Sequence, residues 1–364
     1  MAGRGKDGKV RFGLIGCGEI AVHSAHALHL AAEVCQLAGV ADVVEPLARD
    51  LGQKYHVPHF TDAAELLKRD DVDAVVISTP HGLHAPLTIQ AARAGKHVAC
   101  EKPIACTLEQ ADAMLGACRE AGVLLSVCYV TRFGAGMEKL KELVHAGALG
   151  RLIRYRCQIF YDKPEHYWTG GYTRRASGNW RRSRELSGGG VLLMNGSHSL
   201  DRIHWLTGLE PVRLYAEGDT HDTQVEVEDN ISVVTRYSNG AIGSVDAMSC
   251  ARGQAPGGNR LFGTLGQLDM TRGCRLFTRR TDLPGIQPNA WAELRPARTA
   301  HRGDSRAAFL SQFAQAVLSG APKGPIPGEE GRQVLAFCVA AYESALRRQV
   351  VEFRPGTWEP ILSR

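Results

Sequence analysis

Residues 16–21 read Gly-Cys-Gly-Glu-Ile-Ala, directly after the apolar run Arg11-Phe12-Gly13-Leu14-Ile15 and at the start of a helical pattern from Glu19 to Leu30. No other short segment limits the possible folds as much. A strand that ends in a glycine turn and feeds a helix opens a doubly wound parallel sheet. The helix N-terminus carries N–H groups without partners, which attract an anion. In this setting Gly16 permits the tight turn, and Gly18 lets the backbone approach a pyrophosphate. The small Ala21 keeps helix and strand close. Asp42 ends the second strand-like run about 20 residues on, where a carboxylate accepts bonds from ribose hydroxyls and repels a 2′-phosphate. Val43 follows it, not an arginine. The expected cofactor is therefore NAD rather than NADP, held by Gly16, Gly18, Glu19, Ile20 and Asp42.

The first 130 residues continue in the same rhythm. Strand-like runs at Gln36–Ala41, His59–Phe60, Asp73–Ser78, His97–Cys100 and Leu124–Tyr129 alternate with helical patterns at Val44–Gly52, Asp62–Lys68, Ala85–Ala94 and Thr107–Ala121. Asp62 is a candidate N-cap, Thr107 with Gln110 a capping box, and Gly95 a helix stop. After about Gly150 the pattern becomes alternating, at Ile153–Tyr161, Val212–Gly218, Ile231–Tyr237 and Ala241–Met248, with Ser238-Asn239-Gly240 marking a hairpin. Helices are expected at Val191–Thr207, Ser305–Leu318 and Gly328–Arg348. The reading is an α/β chain: an N-terminal Rossmann doubly wound parallel sheet over 1–130, then a C-terminal α+β domain over 131–364 with an open, mostly antiparallel sheet. A length of 364 residues suits two domains.

Three more segments carry chemistry. Ser78-Thr79-Pro80-His81-Gly82-Leu83-His84 follows the fourth strand, Glu101-Lys102-Pro103 follows the fifth, and Gly188-Gly189-Gly190 precedes His198 and Asp201. Together with the glycine turn and Val227-Glu228-Asp229, they resemble the Gfo/Idh/MocA family of glucose–fructose oxidoreductase and inositol dehydrogenase, over nearly the whole chain. The resemblance implies an oxidoreductase acting on a sugar, cyclitol or sugar derivative. It implies that Lys102 polarises the reacting oxygen and that His198 exchanges its proton. A lysine at the end of a parallel strand lies where α/β sheets place ligands, and an imidazole suits proton transfer near neutral pH. Glu101 would hold the cofactor ribose, and Pro103, through a cis bond, would fix the lysine backbone. Ser78, Thr79, Pro80, His81 and His84 would form the cofactor loop. Trp180-Arg181 resembles an element near the nicotinamide, and Arg132 could serve likewise.

The chain departs from the family at one position. Relatives often carry Asp four residues before the histidine, where this chain has Met194. Asn195 is adjacent but would point about 100° away on an α-helix. Met194, Asn195, Asp201 and Tyr172 are the substrate candidates, with Asp201 either orienting His198 or capping backbone. Tyr167, Trp168 and Tyr172 could stack on a sugar ring or fill a core.

Several classes are set aside. The net charge of +5 owes much to Arg174, Arg175, Arg181, Arg182 and Arg184, with no nucleic-acid module around them. No run is apolar enough to span a membrane, and Met1–Lys9 reads as a tail and not a signal peptide. The ten cysteines include no CxxC and suit reduced thiols in the cytoplasm. The steps His23, His26, His29 and His81, His84 lack a third ligand, so no metal is expected. Gly196-Ser197-His198 lacks the strand–turn–helix setting of a nucleophilic serine. The leading reading is NAD-dependent hydride transfer at a secondary alcohol or ketone of a carbohydrate or polyol. The rivals are a redox-neutral, NAD-assisted glycosidase or lyase working through a transient keto-sugar, and an NAD-bound sensor without turnover. The family resemblance implies a homodimer or homotetramer assembled through the open sheet face.

Overall fold

The computed structural model describes residues 8–253, 257–294 and 303–362; most of the expected N-terminal tail, residues 1–7, lies outside the described residues. In chain order the elements are β1 (Val10–Ile15), α1 (Glu19–Leu30), β2 (Cys35–Ala41), α2 (Glu45–Tyr55), β3 (His59–Phe60) and α3 (Ala63–Leu67). Next come β4 (Ala74–Ile77), α4 (His84–Arg93), β5 (His97–Cys100), α5 (Leu108–Ala121), β6 (Leu125–Val127) and α6 (Met137–His145). They are followed by β7 (Leu152–Phe160), α7 (Tyr167–Gly170), α8 (Arg184–Ser187), α9 (Ser197–Thr207), β8 (Pro211–Asp219), β9 (Asn230–Tyr237) and β10 (Ile242–Met248). The last are β11 (Gly258–Gly263), β12 (Gly266–Asp269), β13 (Arg275–Thr278), β14 (Trp291–Glu293), α10 (Ser305–Ser319), α11 (Gly328–Arg347), β15 (Val351–Phe353) and β16 (Pro360–Ile361).

The chain divides into two compact units. The first holds Met1–Gly134, Glu165–Gly188 and Thr299–Leu335; the second holds Ala135–Pro164, Gly189–Arg298 and Ala336–Arg364. The Trp180-Arg181 segment and α10 thus belong with the nucleotide fold, although both lie beyond its expected end at residue 130.

In the first unit six parallel strands run in the order β3-β2-β1-β4-β5-β6. The central strands have side chains buried on both faces, as a sheet covered by helices on each side requires: Phe12, Leu14 and Ile15 on β1, Val75, Val76 and Ile77 on β4. The helix signals act as expected. Asp62 accepts the Ala64 N–H at 2.8 Å, and Thr107 accepts the Gln110 N–H at 3.2 Å. Gly95 takes φ 71° at the end of α4. α10 joins this unit through a ring cluster, with Phe313 at 6.2 Å from Phe12 and Phe309 at 5.6 Å from Phe133.

The second unit is built on a ten-stranded sheet in the order β14-β13-β12-β11-β7-β10-β9-β8-β15-β16. Only β7 and β10 pair in parallel; the other neighbours are antiparallel. The β9–β10 turn uses Asn239, whose side chain accepts the Ala241 N–H at 2.9 Å, and Gly240 at φ 84°. Alternation decides the faces: Ile231, Val233 and Tyr237 of β9 are buried, whereas Val234 between them is exposed. On the buried face, α9 sets His204 Nε2 3.0 Å from the Tyr237 hydroxyl, and Ser344 of α11 accepts the Ala216 N–H at 3.0 Å.

One expected helix departs from the reading. Val191–Thr207 is not one α-helix: Leu192–Gly196 winds as a π-helix, and the Ser197 N–H reaches back five residues to the Leu192 carbonyl. The step of about 100° that would turn Asn195 away holds only for an α-helix, and a π turn is wider.

Candidate active site

The glycine turn has the geometry a dinucleotide needs. Gly16 sits at φ 88°, and a Cβ there would lie 2.7 Å from the Ser78 carbonyl oxygen, so only glycine fits between β1 and β4. Gly18 differs: a Cβ there meets only the Ala176 methyl, at 3.6 Å. The backbone at Gly18 therefore faces open space. α1 begins there with no side-chain cap, leaving its first N–H groups for an anion. Asp42 lies against the same turn. Its Oδ2 accepts the Cys17 N–H at 2.6 Å and its Oδ1 the Val44 N–H at 2.8 Å. These residues fit NAD: Gly18 and the α1 N-terminus could hold the pyrophosphate, and Asp42 the adenosine ribose.

Glu19 has a different local task. Its carboxylate accepts the N–H groups of Tyr172 at 3.1 Å and Thr173 at 3.0 Å. Arg175 completes the attachment by donating to the Cys17 carbonyl at 3.0 Å and pairing with Asp50 at 2.7 Å. The 171–176 segment is thereby fastened to the turn. Ile20 and Tyr172 keep exposed side chains, and the Tyr172 ring stands 5.0 Å from Tyr167.

The loop after β4 is held by its histidines. His81 Nδ1 lies 2.8 Å from the Ser187 carbonyl, and its ring meets Trp180 edge-on at 4.6 Å. His84 spans two strand ends, with Nδ1 2.8 Å from the Pro103 carbonyl and Nε2 3.1 Å from that of Thr79. Burial lowers both imidazoles below their ordinary value, against the pull of the carbonyls they face; a neutral ring carries one N–H, so in that form His84 donates to only one of its two carbonyls. Among the described residues no cluster of His, Cys, Asp and Glu could hold a metal. Beside His81, the Arg181 guanidinium stacks 4.4 Å from Trp180 and 5.0 Å from Tyr167.

Lys102 follows β5, and its bond to Pro103 is cis. Part of its surface is open to solvent, but protein crowds its ammonium. That burial pushes its pKa down to about 8, against the pull of Glu101 and with the help of the Arg306 and Arg181 guanidiniums. The Glu101 carboxylate is ion-paired with Arg306, which also donates to Ser24 Oγ at 3.2 Å. Arg306 has no local signal in the sequence; it stands 205 residues from Glu101 in the chain. Arg132 is buried and pairs with Glu330 of α11.

The second unit carries His198. Two glycines before it admit a close approach. A Cβ on Gly189 would lie 2.3 Å from the Tyr342 hydroxyl, and one on Gly190 only 1.9 Å from the Glu228 carbonyl oxygen. Glu228 then serves as a long-range cap, its Oε2 accepting the Gly190 N–H at 2.6 Å and its Oε1 the Leu192 N–H at 2.9 Å. Tyr342 donates to Glu228 Oε1 at 3.0 Å and accepts the Leu193 N–H at 3.1 Å. Burial pushes the Glu228 carboxyl up to about 7, although all three of these donors oppose it. Burial pushes Asp229 up as well, but three N–H groups of residues 221–223 and the Thr223 hydroxyl overcome it and hold that carboxyl below its ordinary value. Beyond the cap, Met194 and Asp201 are buried, while Asn195, His198 and Arg202 keep partly open surfaces. Of the two neighbours, Asn195 and not Met194 keeps a partly open side chain.

Comparison with known proteins agrees with this construction. Residues 10–129 match the oxidoreductase family with an NAD-binding Rossmann fold, and residues 137–269 match the GFO/IDH/MocA C-terminal domain. The chain is 31% identical over 302 residues to the 1,5-anhydro-D-fructose reductase of Ensifer adhaerens, covering 81% of this chain and 84% of that one. It is 27% identical over 350 residues to the myo-inositol 2-dehydrogenase of Thermotoga maritima, covering 94% and 98%. The crystal structure of the WlbA dehydrogenase from Bordetella pertussis, in complex with NADH and UDP-GlcNAcA, superposes with a TM-score of 0.80 at 27% identity and covers 95% and 99%. No helix among the described residues is long and apolar enough to cross a membrane. The chain is an NAD-dependent oxidoreductase and belongs to the Gfo/Idh/MocA family.

Proposed function

We propose that the protein oxidises a secondary alcohol of a sugar, cyclitol or glycoside, or reduces the matching ketone, with Lys102 and His198 as its acid–base groups. NAD, when bound, accepts or returns the hydride. The single observation that carries the reading is Lys102 at the carboxyl end of β5, its pKa brought down to about 8. A lysine so tuned polarises the reacting oxygen as an ammonium and can still exchange its proton near neutral pH. His198 would return or remove the second proton. The anhydrofructose reductase and inositol dehydrogenase relatives support a polyhydroxylated substrate with one reacting carbon. Asn195, partly open in the turn before His198, supports a working helix over an inert sensor, because a carboxamide can fix a substrate hydroxyl where buried Met194 cannot. The exposed Tyr215, Val234 and Trp291 of the second unit's sheet support assembly into a homodimer or homotetramer.

The test mixes protein and NAD with a panel of sugars, cyclitols and glycosides and follows NADH absorbance, with Lys102→Ala and His198→Ala beside it. A substrate-dependent rise lost in both variants supports the reading. Product formed without any net NADH would replace it with the redox-neutral one.

A further inference from the structure

The strand-end ion pair has a consequence for the neighbouring lysine. We propose that Arg306 is a positioning residue for Lys102: it fastens the Glu101 carboxylate, places a permanent cation beside the lysine, and so makes Lys102 a readier proton donor than an ordinary lysine. Arg306 stands in the first turn of α10, where Asp304 caps the helix by accepting the Ala307 N–H at 2.8 Å. Its guanidinium is 13% exposed and its partner carboxylate 6%. In such surroundings a cation that cannot deprotonate acts strongly on a neighbouring charge. Ser24 of α1 receives a second N–H at 3.2 Å, which helps fix where that cation sits.

The charged and titratable groups facing Lys102 come from each surrounding element: Glu101 at the end of β5, Arg306 on α10, Arg181 in the turn at 180–182, and His81 and His84 on the loop after β4. Burial is the largest influence on Lys102, and the charges that act on it beside that are Glu101, Arg306 and Arg181. Glu101 favours the ammonium; Arg306 and Arg181 disfavour it. Arg306 acts twice, by direct repulsion and by neutralising Glu101. A purely structural ion pair would add stability to the fold but would not move the lysine in opposite directions when either partner is removed.

That difference of sign is the test. Lys102 is titrated in the intact protein by competitive acetylation with acetic anhydride between pH 6 and 11, its peptide quantified by mass spectrometry. Arg306→Gln should raise the labelling midpoint by about one pH unit or more, the range for gain or loss of one nearby charge. Glu101→Gln should lower it. Arg306→Lys, which keeps the cation, should stay near the wild-type midpoint; it and Glu101→Gln decide the matter if Arg306→Gln does not fold. Midpoints that are unchanged, or that move the same way in both Gln variants, would overturn the proposal. The kinetic consequence rests on the acid–base reading of Lys102, whereas the labelling midpoint does not. Midpoints that shift as described while the pH–rate profile stays fixed would sink the acid–base reading and leave this one standing.

Discussion

Gly190 donates its N–H to the Glu228 carboxylate at 2.6 Å, and a single methyl on Gly190 would stand 1.9 Å from the Glu228 carbonyl oxygen. The close approach that brings the carboxylate to the helix start therefore exists only because the residue is glycine. Gly190→Ala should displace the first turn before His198. Overpacking costs about 1–3 kcal/mol and sometimes more, so thermal melting should show a clear loss. Turnover should fall further than stability alone explains.

Glu228 should make stability depend on pH. Its folded pKa of about 7 lies above its ordinary 4.5, so the fold favours the neutral acid. Its contribution is fully present below pH 4.5 and is lost as pH rises through 7. A shift from 4.5 to about 7 corresponds to at most about 3–4 kcal/mol. Urea unfolding at pH 5 and pH 8 should show a loss in the wild type that Glu228→Gln largely lacks. An equal slope in both proteins would count against the carboxyl as its source.

Lys102 predicts the direction of the pH–rate profile. In ketone reduction the ammonium donates, so kcat/KM should fall as pH rises through about 8. Lys102→Met should lose about 10²–10⁴-fold, the usual worth of a general acid. A retained alkaline limb in that variant would assign the limb to another group.

Asn195 and Met194 should separate by phenotype. Asn195→Ala, at a partly open position, should reduce kcat/KM by about tenfold, one lost hydrogen bond of about 1.4 kcal/mol at most, with little change in melting temperature. Met194→Ala empties a buried site and should cost about 2–5 kcal/mol of stability. Steady-state kinetics alongside calorimetry would expose a reversal of the two.

Asp42 should set cofactor choice. Asp42→Ser removes the carboxylate proposed to face the ribose and weakens the bond to the Cys17 N–H. The KM for NAD should rise, and NADP, no longer repelled, should become usable. Unchanged discrimination in initial rates would place the determinant elsewhere.

Much of the protein follows from local rules that a single sequence carries. The strand–Gly16–helix turn, the caps at Asp62 and Thr107, the stop at Gly95 and the hairpin at Asn239-Gly240 depend on neighbours a few residues away, and each is legible where it stands. Lys102 and His198 stand out only through the motifs around them, and their roles remain proposals. Three features were not legible. Arg306 lies 205 residues from the Glu101 it neutralises, Glu228 is 38 residues from the N–H it caps, and the π turn at Leu192–Gly196 shifts Asn195 relative to an α-helical wheel. Such contacts arise only when the chain has closed its long loops, because a buried charge must find a partner wherever the fold brings one within reach. By itself the sequence determined the Rossmann fingerprint and the family pattern, and singled out Lys102 and His198 as the side chains proposed to react. Tertiary structure alone decided which charges surround Lys102 and which carboxylate caps the helix start before His198. Charge and packing act through space, and those distances do not exist in the linear chain.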